Sequence, residues 1–284
     1  MATNTASSWR RQFGGKRWRV LVFVFVLSLV LVVTPAQAQR QGIPWPVLLQ
    51  RGLEILQWSQ LSDRQEVHLG QQIHQHLLAR EFVAHADPEV QRYVTEIGQR
   101  LVAVSERPHL PYEFTVVRSP QVNAFATMGG FVYVTTGLLK TVANEAQLAG
   151  VLGHEIAHVA QRHLVRQLQQ LAVVQGISTL LGTDGSRLNA LVVELALRRP
   201  RSREQELAAD RGSLNYLLRT GYDPRGLLEF LTKLQSQGSP PAFLSTHPAP
   251  QTRLLALRQH LPAQASGTGT DPQTYRQRVL DRLP

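Results

Sequence analysis

The segment from His154 to His158 reads His-Glu-x-x-His, a residue set and spacing that can form a helical zinc site. Residues four apart share one helix face, so both imidazoles can reach one Zn²⁺ while Glu155 lies beside them. The surrounding residues are apolar, and burying two imidazoles and a carboxylate there would be costly without a metal ion. The pattern therefore predicts a hydrolytic zinc centre with Glu155 as general base toward metal-activated water.

A catalytic zinc ion needs a third protein ligand. The metzincin arrangement is excluded because Leu164 stands where that class has a histidine, and His163, one position off, is interpreted as a structural or hydrogen-bonding residue. An E-x-x-x-D spacing puts the carboxylates of Glu206 and Asp210 on one helix face. We therefore predict Glu206 as the third ligand and Asp210 as a hydrogen-bond acceptor for a ligand histidine. The alternative is that both acids only form a solvated helix face.

The elements that position these residues follow from apolar periodicity. The pattern from Asn144 to about Leu171 is helical and apolar all round at its centre, which predicts a buried helix. Strand patterns cover residues 113–118 and 125–136, the latter divided by Met128-Gly129-Gly130. The fold class predicted is α+β and mainly helical, a zincin-type core with a small β-sheet bordering the cleft. The other predicted helices are 62–84, a helix after Asp87-Pro88, 204–219, 224–235 and 250–260.

Residue counts limit the sites and partners of this chain. It has 284 residues and no cysteine, which excludes thiolate zinc sites and disulfides. The formal charge is +10, and removing residues 1–38, which carry five of the 30 basic residues and no acidic one, leaves +5. The remaining basic residues are spread along the chain without interleaved aromatic residues, so no nucleic-acid partner is expected.

The N-terminus has a basic stretch, the apolar run 20–33 and small residues at Ala36 and Ala38, the layout of a secretory signal peptide. We predict cleavage after Ala38, or alternatively an uncleaved membrane anchor. Either way we expect export to the periplasm or cell envelope. The apolar stretches 171–181 and 188–197 are each too short to span a bilayer and are predicted to form core or lid helices, with peripheral membrane contact as the alternative. The predicted divisions are a signal peptide (1–38), an N-terminal segment (39–61), a catalytic domain (62–262) and a polar C-terminal tail (263–284).

Several motifs follow one another along most of residues 62–258: Glu66 to Gly70, Asn123 to Ala126 with Gly129-Gly130, Val134 to Gly137, His154 to His163, Ser202 to Asp210 and Thr246-His247-Pro248. In this order they resemble the gluzincin zinc metallopeptidases of the HtpX, Oma and CAAX-prenyl-protease type. The nearest resemblance is to the periplasmic BepA- and LoiP-like members, without the repeat domain of BepA. The resemblance implies a soluble envelope protease.

The resemblance also implies where a substrate lies. The strand Phe131–Thr135 is expected to pair with an extended substrate. The alternative is a plain hairpin that turns at Gly129-Gly130. The cleft is expected to be lined by Asn123, Ala124, Phe125 and Ala126.

Three residues outside the main motifs are further candidates. By resemblance, His247 is a removable fourth zinc ligand on a lid loop, or otherwise a loop histidine near the cleft. Arg253 and Tyr216 are candidates for contacting the developing oxyanion.

Together these features predict an exported zinc-dependent endopeptidase with one Zn²⁺ per chain, acting on protein and peptide substrates in envelope protein quality control. Misfolded envelope proteins are the substrates that the resemblance suggests. One alternative is a zinc-binding chaperone or assembly factor with little proteolytic activity. Another is a helical domain in which the zinc is purely structural.

Overall fold

The computed structural model describes residues 61–175, 185–236 and 241–284. Helix α1 (Asp63–Arg80) begins where predicted, because Ser62 and Gln65 form a reciprocal capping box. Helix α2 (Pro88–Val102) is capped by the Asp87 side chain, with Pro88 in its first turn. The predicted signal peptide and N-terminal segment lie outside the described residues, apart from Leu61 at the boundary.

A three-stranded sheet forms from β1 (Glu113–Val117), β2 (Ala124–Ala126) and β3 (Phe131–Thr135) in the order β1-β3-β2. Strand β3 is parallel to β1 and antiparallel to β2. The prediction that β3 pairs with a substrate is therefore wrong, because both of its edges are occupied. The hairpin alternative is confirmed, and β2 is an edge strand. The turn between β2 and β3 contains Gly129 (φ 77°) and Gly130 (φ 104°), whose positive φ angles glycine adopts readily.

The two faces of the sheet contribute to two apolar clusters, because successive side chains of a strand alternate in direction. Ala124 and Ala126 face the larger cluster, which contains most of the apolar side chains of helix α4 (Glu145–Ala160). Phe125 and Tyr133 face the smaller one, with their rings stacked 4.6 Å apart. The remaining helices are α3 (Thr136–Thr141), α5 (His163–Gln175), α6 (Gly185–Leu197), α7 (Arg203–Thr220), α8 (Gly226–Gln235), α9 (Ala242–Thr246), α10 (Pro250–His260) and α11 (Pro272–Arg278).

Helix α4 is buried along its whole length after Glu145, as predicted. Its first turn is held by the Asn144 side chain, which accepts from the Gln147 amide, and by Gly269, whose carbonyl accepts from the Ala146 amide. The segment expected to be a polar tail thus contacts the start of the central helix. It also buries Tyr275 completely in the larger cluster.

Helices α4 and α7 approach closely because each carries a glycine at the contact. A Cβ on Gly153 would lie 2.9 Å from the Ser213 hydroxyl oxygen, and one on Gly212 would lie 2.7 Å from the Ala157 Cβ. The Ser213 hydroxyl donates to the Gly150 carbonyl at 2.7 Å. This contact fixes the separation of the two helices that carry the predicted ligands.

The sequence alone does not decide whether the protein contacts a membrane. Across the described ranges, no helix combines the length and apolar character needed to cross a bilayer.

Candidate metal centre

Four side chains from three parts of the chain converge in the interior. His154 and His158 lie one turn apart on α4, Glu206 lies in the first turn of α7, and His247 directly follows α9. All four are at most 3% exposed. Glu206 enters the cluster because Ser202 and Gln205 start α7 with a second capping box.

The spacing of the donor atoms suits a tetrahedral zinc ion. Zinc bonds of about 2.0–2.1 Å at tetrahedral angles separate neighbouring ligand atoms by about 3.3 Å. His154 Nε2 lies 3.0 Å from His158 Nε2, 3.2 Å from His247 Nδ1 and 3.4 Å from Glu206 Oε2. Glu206 Oε1 lies 3.4 Å from His158 Nε2 and 3.2 Å from His247 Nδ1. One carboxylate and three imidazoles without a thiolate form a donor set suited to a divalent metal.

The charges around the cluster favour a cation. Burial opposes ionisation of Glu206, but the neighbouring His247 and Arg253 hold the pKa of its carboxyl well below the usual range. Burial and Arg253 also oppose the imidazolium of His154, yet Glu206 and Asp210 raise the pKa of His154 to about 9. Burial lowers the pKa of His158 well below its ordinary value. A metal ion binding here would replace the proton on His154.

Asp210 orients His154. Its Oδ1 lies 2.8 Å from His154 Nδ1, so Nδ1–H donates to the carboxylate and Nε2 is left to face the cluster. Arg253 in turn fixes Asp210 through Nε and Nη2, at 2.8 and 2.7 Å. The arrangement is the one expected from the E-x-x-x-D spacing.

His163 contacts the second histidine of the cluster, which confirms the hydrogen-bonding interpretation, although the sequence did not predict this partner. The expected helix 144–171 is broken at Gln161 and Arg162, and Arg162 adopts a left-handed φ of 56°. The break turns His163 back, so that its Nδ1 lies 2.7 Å from His158 Nδ1. Burial lowers the pKa of His163 to about 4, so the ring is neutral at pH 7 and can accept the Nδ1–H of His158. Nε2 of His158 then remains free for a metal.

We expect His163→Leu to weaken zinc binding by about 10- to 100-fold, because His158 loses the acceptor that fixes its tautomer. His163→Asn retains an acceptor and should fall between Leu and wild type. Competition with a zinc-chelating dye measures the affinity. The matched control is His260→Leu on the surface of α10, which should leave zinc affinity unchanged. A zinc affinity of His163→Leu within twofold of wild type would refute this role.

Glu155 lies beside the cluster without a hydrogen-bond partner among the described residues. It is fully buried, and neither carboxylate oxygen has a hydrogen-bond partner among the described residues. Its Oε1 lies 3.4 Å from Nε2 of His247. A buried carboxylate in this position needs a polar partner, which a water or substrate in the site would supply.

The two candidate oxyanion contacts lie in different surroundings. The Tyr216 hydroxyl donates to the Glu106 carboxylate. Arg253 is fully buried, and its Nη1 lies 2.9 Å from Glu206 Oε2 and donates to the His247 carbonyl. In this conformation Arg253 therefore stabilises the cluster through its contacts with Glu206 and with the backbone of His247. A contact of either side chain with a transition state remains a prediction.

A second charged cluster supports the end of α4. Glu66 is 1% exposed and accepts from Arg107 and from the Gly129 amide. Its Oε2 also lies 3.2 Å from Arg162 Nε, and Arg107 donates to the Val159 carbonyl. This cluster connects α1, the β2–β3 turn and the break after α4. The sequence marked Glu66 as a family landmark but gave it no physical role.

The model of Peptidase family M48 matches residues 88–261, which contain every member of the His154–His247 cluster. The chain belongs to peptidase family M48. The resemblance inferred from the sequence motifs is thereby confirmed.

Several M48 relatives are similar over the same region. The beta-barrel assembly-enhancing protease of Yersinia pestis is 35% identical over 191 residues, which cover 61% of this chain and 39% of the relative. That of Escherichia coli is 33% identical over 189 residues, with the same coverage. The mitochondrial metalloendopeptidase OMA1 of Schizosaccharomyces pombe is 33% identical over 177 residues, covering 60% of this chain and 52% of that protein. The match therefore spans about two fifths to one half of these relatives.

Proposed function

We propose that this M48 chain is an exported endopeptidase that binds one Zn²⁺ and hydrolyses peptide bonds of envelope proteins. The observation that carries the proposal is the set of ligand atoms at tetrahedral spacing. Beside them lies Glu155, whose carboxylate has no hydrogen-bond partner among the described residues. His154, His158 and Glu206 would hold the metal ion. When bound, zinc supplies Lewis-acid chemistry that polarises a carbonyl and acidifies water.

Each residue around the metal ion then has a separate role. Glu155 removes a proton from the attacking water and transfers it to the departing amide nitrogen. Asp210 and His163 keep the two ligand histidines in the tautomer that presents Nε2. Arg253 keeps Asp210 and Glu206 ionised in the interior.

Strand β2 is the proposed docking edge for the substrate, in place of β3. Thr135 N–H donates to Asn123 and Thr127 N–H donates to Phe131, so the odd-numbered residues of this stretch bond to β3. The N–H and C=O groups of Ala124 and Ala126 point away from β3 and have no hydrogen-bond partner among the described residues. An extended peptide can bond to them by β-strand addition.

His247 is proposed to act as a removable fourth ligand. Its Nδ1 has the spacing of a ligand atom to both His154 and Glu206. With a metal ion held by His154, His158 and Glu206, His247 would supply a fourth ligand and compete with water or substrate for the centre. Movement of the α9–α10 loop that carries it would open the centre.

The envelope assignment rests on the signal-peptide pattern of residues 1–38 and on the relatives. The names of the Yersinia and Escherichia relatives refer to β-barrel assembly. We propose misfolded envelope proteins as substrates. An assembly factor with little proteolytic activity is the competing function.

The test is zinc analysis combined with casein digestion. The purified wild-type protein should contain one zinc ion per chain, lose casein cleavage after chelation and regain it when zinc returns. His247→Ala should cleave casein faster than wild type with unchanged zinc content, because three ligands remain. Full zinc content without cleavage by either protein would favour the assembly factor or a structural zinc. Slower cleavage by His247→Ala would contradict the lid role.

A further inference from the structure

A cavity of about 500 Å³ lies beside the proposed docking edge. Phe82, Phe125 and Leu197 form its apolar part, and the rings of the two phenylalanines are 5.6 Å apart. Glu81 and Arg198, both exposed, add one charge of each sign. A cavity of this size can hold a large side chain.

The cavity and the metal centre are connected by one short segment of the chain. Thr246 lines it and directly precedes His247, and the Thr246 carbonyl accepts from the Arg201 amide at 3.0 Å. Phe243 N–H donates to the Val122 carbonyl, which holds α9 against the start of β2. The cavity and the cluster are therefore bordered by the same short segment.

Strand geometry connects the cavity with a bound substrate. Alternate side chains of a peptide added to β2 would point to opposite faces of the sheet. Those on the Phe125 face would meet the cavity, whereas those on the other face would meet the side of Ala124 and Ala126.

Asn123 gives an independent indication that a ligand binds here. It lines the cavity, is only 7% exposed, and its Oδ1 has no hydrogen-bond partner among the described residues. An unsatisfied buried oxygen of this kind suits an N–H donor of a bound peptide.

We propose that this cavity is a specificity pocket that selects a large uncharged side chain, aromatic or aliphatic, in the substrate peptide. The proposal rests on the proposed peptidase function. The apolar walls favour such a side chain, because a charged group placed against Phe82, Phe125 and Leu197 would lose its hydration without gaining a partner there.

The test uses two peptide series with the zinc-loaded full chain. A mixed peptide library analysed by mass spectrometry first identifies the selected position. Matched peptides with Phe, Ala, Asp or Lys there then give kcat/KM, and fluorescence anisotropy gives their affinity without requiring turnover. Wild type should prefer Phe over Asp and Lys by about 10- to 200-fold.

Two variants change the pocket in different ways. Leu197→Trp fills it and should lower the Phe-to-Ala ratio at least tenfold. Arg198→Glu joins Glu81 in a doubly acidic rim and should raise cleavage and binding of the Lys peptide at least tenfold. The control is Leu255→Trp, at a position that is 59% exposed on α10, which should keep the wild-type profile.

The outcomes separate the two proposals. A protein that binds the Phe peptide selectively but cleaves nothing overturns the peptidase function and supports the pocket. A protein that cleaves with the same preferences in wild type, Leu197→Trp and Arg198→Glu overturns the pocket and leaves the peptidase function standing.

Discussion

Glu155→Gln is expected to lower kcat for peptide hydrolysis by about 10²- to 10⁴-fold, the usual contribution of a positioned general base. The side chain is fully buried and its carboxylate oxygens have no hydrogen-bond partner among the described residues. The amide of glutamine has nearly the same shape and fits the same space. Glutamine cannot accept the proton of the attacking water. Zinc content should stay at the wild-type level, because Glu155 is not among the four clustered ligand residues. Steady-state hydrolysis of a fluorogenic peptide and metal analysis measure the two effects.

The control is Glu204→Gln, the same change at an exposed position in the first turn of α7. It should leave kcat unchanged within about twofold. Retention of more than a tenth of the wild-type kcat by Glu155→Gln would rule out the general-base role. Loss of zinc together with activity would instead show that Glu155 maintains the site.

Arg253→Met is expected to lower the free energy of unfolding of the metal-free protein by about 3–5 kcal/mol, the cost of removing one partner from a buried ion pair. The guanidinium is fully buried between Asp210 and Glu206, with contacts of 2.7 and 2.9 Å. Methionine fills a similar volume but removes the guanidinium from both carboxylates. Urea unfolding followed by circular dichroism, with a chelator present, measures the change.

Arg258→Met is the matched control, since Arg258 is exposed on the same helix. Its effect should stay within about 0.5 kcal/mol. A loss below about 1 kcal/mol for Arg253→Met would mean that the buried carboxylates are stabilised by other groups.

The ligands could be predicted from the sequence because helix geometry determines them. The four-residue spacings of His154 with His158 and of Glu206 with Asp210 place each pair on one face wherever a helix forms. Their convergence follows from the close approach of α4 and α7, where Gly153 and Gly212 lie.

The contact of His163 could not be predicted, because the break after α4 depends on long-range contacts. Arg162 takes a left-handed conformation that no local signal demands, and it lies against Glu66, almost a hundred residues earlier in the chain. The sequence pattern alone predicted one continuous helix, and such a helix would have turned His163 away from His158.

The order of the strands could not be predicted from the local sequence pattern, because it too depends on long-range contacts. Alternation in β3 identified a strand but not its neighbours. The parallel pairing of Glu113–Val117 with Phe131–Thr135 fills one edge of β3, and the hairpin fills the other. Strand β2, only three residues long, was thereby left at the edge that we propose for substrate binding.

The four clustered side chains are separated by up to 93 positions along the chain, from His154 to His247. None of the three segments can assemble the centre alone, because the donors meet only after α4, α7 and the α9–α10 loop have packed. A newly made or partly denatured copy therefore has no assembled centre, and its capacity to hold a metal ion depends on the completed packing of all three segments.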